Sequence, residues 1–278
     1  VSIAAAVNGS ASTSVHVDGY NLTSTITATT TYPFEVSEDG INYGSTASLA
    51  QIGGTLYIQY SPTASGTETG TVTLSSTGAT DVIVTVNGTA LETASLPYSQ
   101  NFEDATENSQ WMIVNGSYTN GWYIGTAANT TAGGSNALYV SNDNGTTNAY
   151  TNGSESIVWA YRDIDFGTHS GYSLSFKYRC DGESSWDPMR IYLGAPADVP
   201  TSDEAPQGAT QIGMTNYSEI LSWTDYNIIL PASHSGAQRL YLLWKNDSSL
   251  GDNPPAAIDD IVIIGRDCGS TSVPIVSN

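Results

Sequence analysis

The stretch PPAAIDDIVIIG (residues 254–265) joins a run of β-branched residues to two adjacent carboxylates. Side chains alternate between the two faces of a β-strand, so Asp260 is predicted to share a face with Ile258. Asp259 is then predicted to share the opposite face with Ile261. An ionised carboxylate taken out of water is costly unless a cation or hydrogen-bond donors meet it. The partners of these two side chains therefore decide what this strand does.

Short alternating runs rich in Val, Ile, Thr and Tyr recur along the whole chain. No segment has the apolar spacing of an amphipathic helix, so the sequence predicts an all-β protein. Residues 1–92 have closely spaced runs separated by Gly, Ser and Asn turns, which predicts a β-sandwich of about immunoglobulin size. All six tryptophans, both cysteines and every Lys and Arg follow residue 92. Residues 93–266 are predicted to form a larger jelly-roll β-sandwich, and residues 267–278 a linker or tail.

The chain carries 27 Asp and Glu against seven Lys and Arg, a formal charge of −20, and residues 1–161 contain no Lys or Arg. Such a surface repels nucleic-acid phosphates and anionic lipids, so no nucleic acid is an expected partner. No apolar run is long enough to span a bilayer, so no membrane insertion is expected. Most of the carboxylates are expected to keep the protein soluble. Where several converge, a hard cation such as Ca²⁺ is the alternative counter-charge.

An ordered set of motifs covers most of residues 96–265. The motifs are YSQNFED, GWYIGT, ALYVSNDNGTTNAYT, VWAYRDIDF, YSLSFKYRCDGESSWDPMRIYL and LYLLWKNDSSLGDNPPAAIDDIVI. Together they resemble the cleaved-adhesin domains, the jelly rolls appended to gingipain-type proteases, and more distantly the MAM domains of animal receptors. The first 92 residues resemble Ig-like modules of bacterial surface proteins through FEVSEDGINYG, YIQYSPTASGTETGTVTLSS and VTVNGTA, and this resemblance implies an Ig-like β-sandwich that serves as a spacer. The resemblance implies a secreted or cell-surface bacterial protein, with this chain part of a longer multidomain one.

The resemblance also implies a structural calcium site where the FE near the start of the jelly roll meets the DDI of its last strand. The matching positions are Glu103, with Asp104 beside it, and the pair Asp259 and Asp260. First and last strands of a sandwich commonly lie side by side, and Ca²⁺ takes about six to eight oxygen ligands from such groups. The alternative is that Asp259 caps a turn while Asp260 pairs with an Arg such as Arg190, or with backbone amides.

Candidate ligand-binding residues lie in polar loops. Trp186, followed by Asp187, precedes a predicted strand within DGESSWDPMR, where an exposed Trp suggests contact with a partner. The alternative is that this Trp folds back onto its own domain. Asn142 and Asp143 lie in SNDNGTTN, which lacks the Glu that closes an EF-hand loop. A hairpin turn, a binding loop or a weak second ion site remain open there.

Tryptophans within the predicted strands have a different expected role. Trp122 and Trp244 are predicted to be core residues. In SIVWAYRDI, Val158 and Ala160 lie on one face and Trp159 and Tyr161 on the other, so one of the two sets is predicted to be core.

Neither disulfide bonding nor catalysis has a strong signal. Cys180 and Cys268 are the only cysteines, and the sequence does not decide whether they are joined. No G-x-S-x-G, H-E-x-x-H or Cys/His arrangement is present, so no enzyme activity is expected. A glycosidase needs only two carboxylates, so counting residues does not exclude that class.

The sequence therefore predicts a non-catalytic extracellular adhesin module that binds a glycan, a glycoprotein or a matrix protein. One alternative is the carbohydrate-targeting region of a secreted hydrolase or protease, and another is an architectural spacer. An exposed aromatic strip on a concave sheet would favour glycan binding, and a cleft with paired carboxylates would favour hydrolysis.

Overall fold

The computed structural model describes residues 1–196, 200 and 202–267. The chain divides into two compact units, Val1–Thr93 and the part from Ala94 onward. The predicted boundary after Glu92 lies one residue earlier. The predicted tail lies outside the described residues except for its first residue, Asp267.

The first unit is a β-sandwich of two sheets. Its strands are β1 (Ser2–Ala6), β2 (Ala11–Asp18), β3 (Ile26–Thr29), β4 (Phe34–Ser37), β5 (Thr46–Leu49), β6 (Gly53–Tyr60), β7 (Gly66–Ser75) and β8 (Val82–Leu91). One sheet has the order β1-β8-β7-β3-β5 and the other β2-β6-β4. Phe34 stacks on Tyr60 with ring centroids 5.0 Å apart, inside the core between the sheets. The specifically immunoglobulin-like relationship stays a prediction.

The second unit is a larger two-sheet sandwich, as expected for a jelly roll. Its strands are β9 (Ala94–Ser95), β10 (Tyr98–Gln100), β11 (Met112–Val114), β12 (Gly121–Gly125), β13 (Ala137–Ser141), β14 (Ser156–Asp165), β15 (Gly171–Cys180), β16 (Met189–Gly194), β17 (Thr210–Tyr217), β18 (Ile220–Pro231), β19 (Ala237–Asn246) and β20 (Ala257–Gly265). Sheet I has the order β12-β13-β20-β15-β18 with β10 on β20, and sheet II the order β11-β14-β19-β16-β17 with β9 on β14.

The all-β prediction is confirmed. The described helical structure is one turn, α1 (Ala105–Asn108), and a 3₁₀ turn at Ala232–His234. No helix in the described part of the chain is long and apolar enough to cross a membrane.

The core of the second unit lies between sheets I and II. Alternate side chains of β15 and of β19 meet there, because each strand presents one face to the opposite sheet. Trp122 and Trp244 are both fully buried in this core, as predicted. The strand of YSQ near the start of this unit, β10, pairs antiparallel with the last strand, β20, so the expected adjacency is also present.

One face of strand β14 is core, as predicted, and the other face is buried too. Val158 lies in the core between the sheets, whereas Trp159 lies in a second buried cluster with Tyr161 and Tyr192 on the outer face of sheet II. Trp159 donates a 3.0 Å hydrogen bond from Nε1 to the carbonyl oxygen of Ser202, so Ser202 lies beside this face.

Strand β20 contains an irregularity that changes which side chains share a face. Asp260 has φ 49°, in the left-handed region, and the register against β15 shifts at this point. The extra residue reverses the alternation, as in a β-bulge. Ile258 and Ile261 therefore both face the core, while Val262 is exposed on the outer face. The predicted sharing of one face by Asp260 and Ile258, and of the other by Asp259 and Ile261, is wrong for this reason.

Candidate functional site

The carboxylate of Asp259 is fully buried and holds the loop 129–136. Its Oδ2 accepts hydrogen bonds from the backbone amides of Thr130 and Thr131 at 3.0 and 3.2 Å, and its Oδ1 accepts one from the Asp260 amide at 2.8 Å. Burial raises the pKa of Asp259, although these hydrogen bonds oppose the rise. Three backbone amides and the Thr131 hydroxyl, rather than a turn after NPP, are thus the described partners of this carboxylate.

Asp260 pairs with a lysine. Its Oδ2 lies 3.0 Å from Nζ of Lys177, and the Thr131 hydroxyl donates to its Oδ1 at 2.8 Å. The ion pair raises the pKa of Lys177. Arg190, considered as the partner from sequence, instead donates to the side chain of Asn216 at 2.9 Å, so that assignment is wrong.

Glu103 holds the other part of the same loop. Its Oε1 accepts hydrogen bonds from the backbone amides of Ser135 and Asn136, both at 2.7 Å, and these bonds lower the pKa of Glu103. Asp104 has a separate role, because its side chain caps α1 by accepting a 2.8 Å hydrogen bond from the Thr106 amide.

Of the four predicted metal ligands, Glu103, Asp259 and Asp260 contact loop 129–136, whereas Asp104 does not. Glu103 and Asp259 both bind loop 129–136, and their carboxylates together with loop carbonyls are the oxygen donors that Ca²⁺ uses. No Lys, Arg or His nitrogen of the described chain lies within 4.0 Å of Asp259. Asp104 caps α1 and Asp260 also pairs with Lys177, and the described residues contain no group of three His, Cys, Asp or Glu side chains placed to hold a metal. Calcium binding by these carboxylates stays a prediction.

At one end of the second unit, the segments 142–155, 181–188 and 247–254 come together, and we call them the end loops. The Tyr150 hydroxyl donates a 2.6 Å hydrogen bond to Oδ2 of the fully buried Asp187. The Asp181 amide donates to the Pro254 carbonyl at 2.8 Å. These bonds join all three segments at the end of the sandwich.

Trp186 is 52% exposed and lies in a hydrogen-bonded turn. Its backbone amide and that of Asp187 both donate to the carbonyl oxygen of Glu183, at 3.2 and 2.9 Å. The hydroxyl of Ser218 donates to the Ser184 carbonyl at 2.9 Å and holds the turn from the other side. The indole is therefore a surface group on a fixed backbone.

Asn142 lies in the same group of loops, whereas Asp143 mainly orders its own turn. Asn142 donates from Nδ2 to the Thr151 hydroxyl at 3.0 Å, one residue from Tyr150. Asp143 accepts from the Ser141 hydroxyl at 2.7 Å and from the Thr147 amide at 2.9 Å, which lowers its pKa. The structure thus brings Trp186, Asp187 and Asn142 to one end of the sandwich.

Sequence reasoning missed Tyr150, Glu183 and Asn246 at this end. A signal for Asn246 was available, because LYLLWKN places it in phase with the core residues Leu242 and Trp244. A polar residue that continues a buried apolar face marks the point where the core becomes polar. No comparable signal pointed to Tyr150.

The outer face of sheet II carries aromatic side chains, but it is not an exposed strip. Trp159, Tyr161 and Tyr192 are at most 4% exposed. A buried ion pair continues this face: Arg239 donates from Nη2 to Oδ2 of Asp163 at 2.8 Å and stacks 4.2 Å above the Tyr161 ring. This face therefore does not meet the condition set from sequence for a glycan-binding strip.

Cys180 is buried, and burial raises the pKa of its thiol to about 12. Cys268, the other cysteine of the chain, lies outside the described residues, so the question of a disulfide stays open.

Comparisons with protein families and with curated proteins find no match. Among solved structures, a carbohydrate-binding module of the β-sandwich superfamily is 14% identical over 91% of this chain and 98% of its own, with TM-score 0.38. The CBM22-1 xylan-binding domain of Paenibacillus barcinonensis Xyn10C is 12% identical over 64% of this chain and 98% of its own, with TM-score 0.39. The K1 cleaved adhesin domain of Lys-gingipain from Porphyromonas gingivalis W83 is 12% identical over 61% of this chain and 98% of its own, with TM-score 0.37.

This likeness concerns β-sandwich architecture. At these identities and TM-scores it carries no argument about what this chain binds.

Proposed function

We propose that the second unit is a non-catalytic glycan-binding module of an extracellular protein, and that the ligand binds at the end loops beside Trp186. The observation that carries the proposal is the half-exposed indole of Trp186 on a turn whose backbone is fixed by hydrogen bonds. A flat apolar ring surrounded by polar groups is the surface on which a sugar ring stacks while its hydroxyls hydrogen-bond.

The neighbours of Trp186 supply those polar groups. Ser184 and Ser185 are exposed on the same turn, and Asn142 lies in an adjoining loop. The anchoring of Asp187 by Tyr150 limits the entropy that the turn loses on binding, which favours affinity.

The charge of the chain narrows the ligand class. With a formal charge of −20, the protein repels sulfated and other polyanionic glycans. Neutral glycans, free or on a glycoprotein, are the preferred ligands in this proposal. Both host and environmental glycans belong to this class.

A structural calcium ion is a second part of the proposal. Glu103 and Asp259 would hold it together with carbonyl oxygens of loop 129–136, and it would supply a positive charge to a buried carboxylate. The ion would stabilise the folded unit by mass action without contacting the glycan.

Affinity gel electrophoresis of the full chain tests the glycan proposal, with xylan, β-glucan, galactan, mannan or mucin in the gel. At least one neutral glycan is expected to retard the wild type, and Trp186→Ala is expected to weaken binding by at least about tenfold. Tyr20→Ala is the matched control, since it removes an 80% exposed aromatic ring from the first unit. Equal retardation of wild type and Trp186→Ala, or no retardation by any glycan, contradicts the proposal and favours a spacer or a protein-binding role.

A further inference from the structure

The end of the second unit that carries the end loops contains a buried oxygen that accepts no hydrogen bond from the described residues. Asn246 is 2% exposed, and its Nδ2 donates to the carbonyl of Asn152 at 2.8 Å. The carbonyl oxygen of Asn152 accepts a hydrogen bond from an amide nitrogen and not from an amide oxygen, and this assigns the positions of Nδ2 and Oδ1 in the Asn246 side chain. Its Oδ1 is then left buried and without a donor. Such an atom is costly unless a ligand meets it.

The β-ladder directs this oxygen towards Asp187. Met189 is the register partner of Trp244, and the Lys245 amide donates to the carbonyl of Pro188. Continuing the antiparallel register one step beyond the pair of Pro188 and Lys245 places Asn246 opposite Asp187. Side chains at opposed positions share a face and lie about 5 Å apart at Cβ. Asn246 shares the core-facing phase of Trp244, so both polar side chains point into the end of the sandwich.

The side chain of Glu183 provides a second buried oxygen of this kind. Its Oε2 is buried and accepts no hydrogen bond from the described residues. Burial raises the pKa of Glu183, and the nearby charge of Asp187 raises it further. Burial likewise raises the pKa of Asp187, with Asp247 adding to the effect. The carboxylates of Glu183 and Asp187 thus lie close enough to interact electrostatically.

No cationic side chain of the described residues neutralises this group. Neither Asp187 nor Glu183 has a Lys, Arg or His nitrogen within 4.0 Å in the described structure. Four basic side chains of this unit form ion pairs elsewhere: Arg162 with Glu107, Lys177 with Asp260, Arg239 with Asp163, and Lys245 with Asp203. A positive charge from outside the chain would relieve the repulsion between the two carboxylates.

We propose that Asp187, Glu183 and Asn246 bind a hard divalent cation of the Ca²⁺ class, with main-chain carbonyls of the end loops completing its oxygen shell. Oxygen donors from carboxylates, an amide and carbonyls are the ligands that Ca²⁺ selects. The Tyr150 hydroxyl orients Asp187 by bonding to its Oδ2, as outer partners orient metal ligands. Gly251 permits the close approach of the last end loop, since a Cβ there would clash with both the Tyr150 hydroxyl and Oδ2 of Asp187.

This site is distinct from the calcium site proposed at Glu103 and Asp259. Loop 129–136 precedes β13 (Ala137–Ser141), and the first end loop follows it. The two sites therefore lie at opposite ends of a five-residue strand, separated by about 15 Å.

Calorimetric titration of the chelator-treated full chain with Ca²⁺ tests the proposal. The wild type is expected to bind an ion at this site. Asp187→Asn and Asn246→Leu are each expected to weaken this binding by at least about tenfold, whereas Asp259→Asn is expected to leave it unchanged. Asp252→Asn is the matched control, because it removes one charge from an exposed position of the same loops. Terbium luminescence sensitised by nearby indoles gives a second readout, expected to fall in Trp186→Phe.

Three results would overturn the proposal. The first is a folded wild type that binds no ion. The second is ion binding that Asp187→Asn and Asn246→Leu leave unchanged. The third is an equal loss in Asp252→Asn, which would show a diffuse effect of acidic surface. Circular dichroism of each variant separates loss of folding from loss of the site. Glycan retardation is measured independently, so failure of the glycan proposal is distinguishable from failure of this one.

Discussion

The hydroxyl of Tyr150 donates a 2.6 Å hydrogen bond to the carboxylate of Asp187, a side chain with no exposed surface. The bond joins two loops that are 37 residues apart in the chain. It also holds Asp187 beside the turn that presents Trp186. The charge and position of one buried carboxylate therefore connect the stability of the end loops to the proposed binding surface.

Removing the donor should loosen this end of the unit. Tyr150→Phe deletes one hydroxyl and leaves Asp187 with its weaker bond from the Asp247 amide, 3.4 Å long. We expect a loss of about 1–3 kcal/mol in the free energy of unfolding, measured by urea denaturation. Tyr123→Phe is the matched control, because its hydroxyl makes an exposed 3.2 Å bond to Asn144. Equal effects of the two substitutions would contradict this assignment.

The pH dependence of stability should report the burial of Asp187. Its folded pKa is raised above the ordinary value of 3.8, so its contribution is fully present below pH 3.8 and is lost as the pH rises through the folded pKa. In the presence of a chelator, the free energy of unfolding of Asp187→Asn should fall less with rising pH than that of the wild type. The same substitution should become unfavourable in Ca²⁺, where the wild type gains a ligand. A difference in the free energy of unfolding between the wild type and Asp187→Asn that does not change with pH would contradict this prediction.

The buried pair of Asp163 and Arg239 should be far more costly to break than a half-exposed one. Asp163→Ala leaves a guanidinium that is only 6% exposed without its carboxylate, and we expect a loss of about 3–5 kcal/mol in the free energy of unfolding. Asp203→Ala is the matched control, since the Asp203–Lys245 pair is partly solvated and is expected to be worth about 0–1 kcal/mol. Thermal or urea unfolding that ranks the two losses in the opposite order would refute this reading.

The calcium ion proposed at loop 129–136 makes a separate prediction. Added Ca²⁺ should raise the unfolding midpoint of the chelator-treated wild type, because an ion that binds only the folded state stabilises it. Glu103→Gln and Asp259→Asn should each reduce that rise, whereas Asp104→Asn should not, since Asp104 caps α1. A rise of full size in Glu103→Gln and Asp259→Asn would exclude these carboxylates as ligands.

The fold class and several core positions were accessible from sequence because they depend on local alternation. Trp122 and Trp244 are in the phase of their apolar neighbours, and both are core residues. The irregularity at Asp260 was not accessible, because a left-handed residue within a β-branched run leaves no signature in the pattern. One extra residue was enough to reverse the predicted faces of β20.

The partners of the buried carboxylates were inaccessible for a different reason. Thr131 meets Asp259 across 128 residues, and Lys177 meets Asp260 only after β15 and β20 pair. Such contacts follow from the register of the whole sheet rather than from a local motif. Trp186 was identifiable because it lies in a polar loop, where no apolar alternation accounts for a tryptophan.

The most direct test of the proposed binding site is hydrogen exchange measured by mass spectrometry, with and without a neutral glycan that retards the wild type. The account predicts that bound glycan slows exchange in peptides from 181–188 and 142–155, with little change in residues 1–93. Slowed exchange confined to residues 1–93 or to the outer face of sheet I, or no slowing with any neutral glycan, would contradict it.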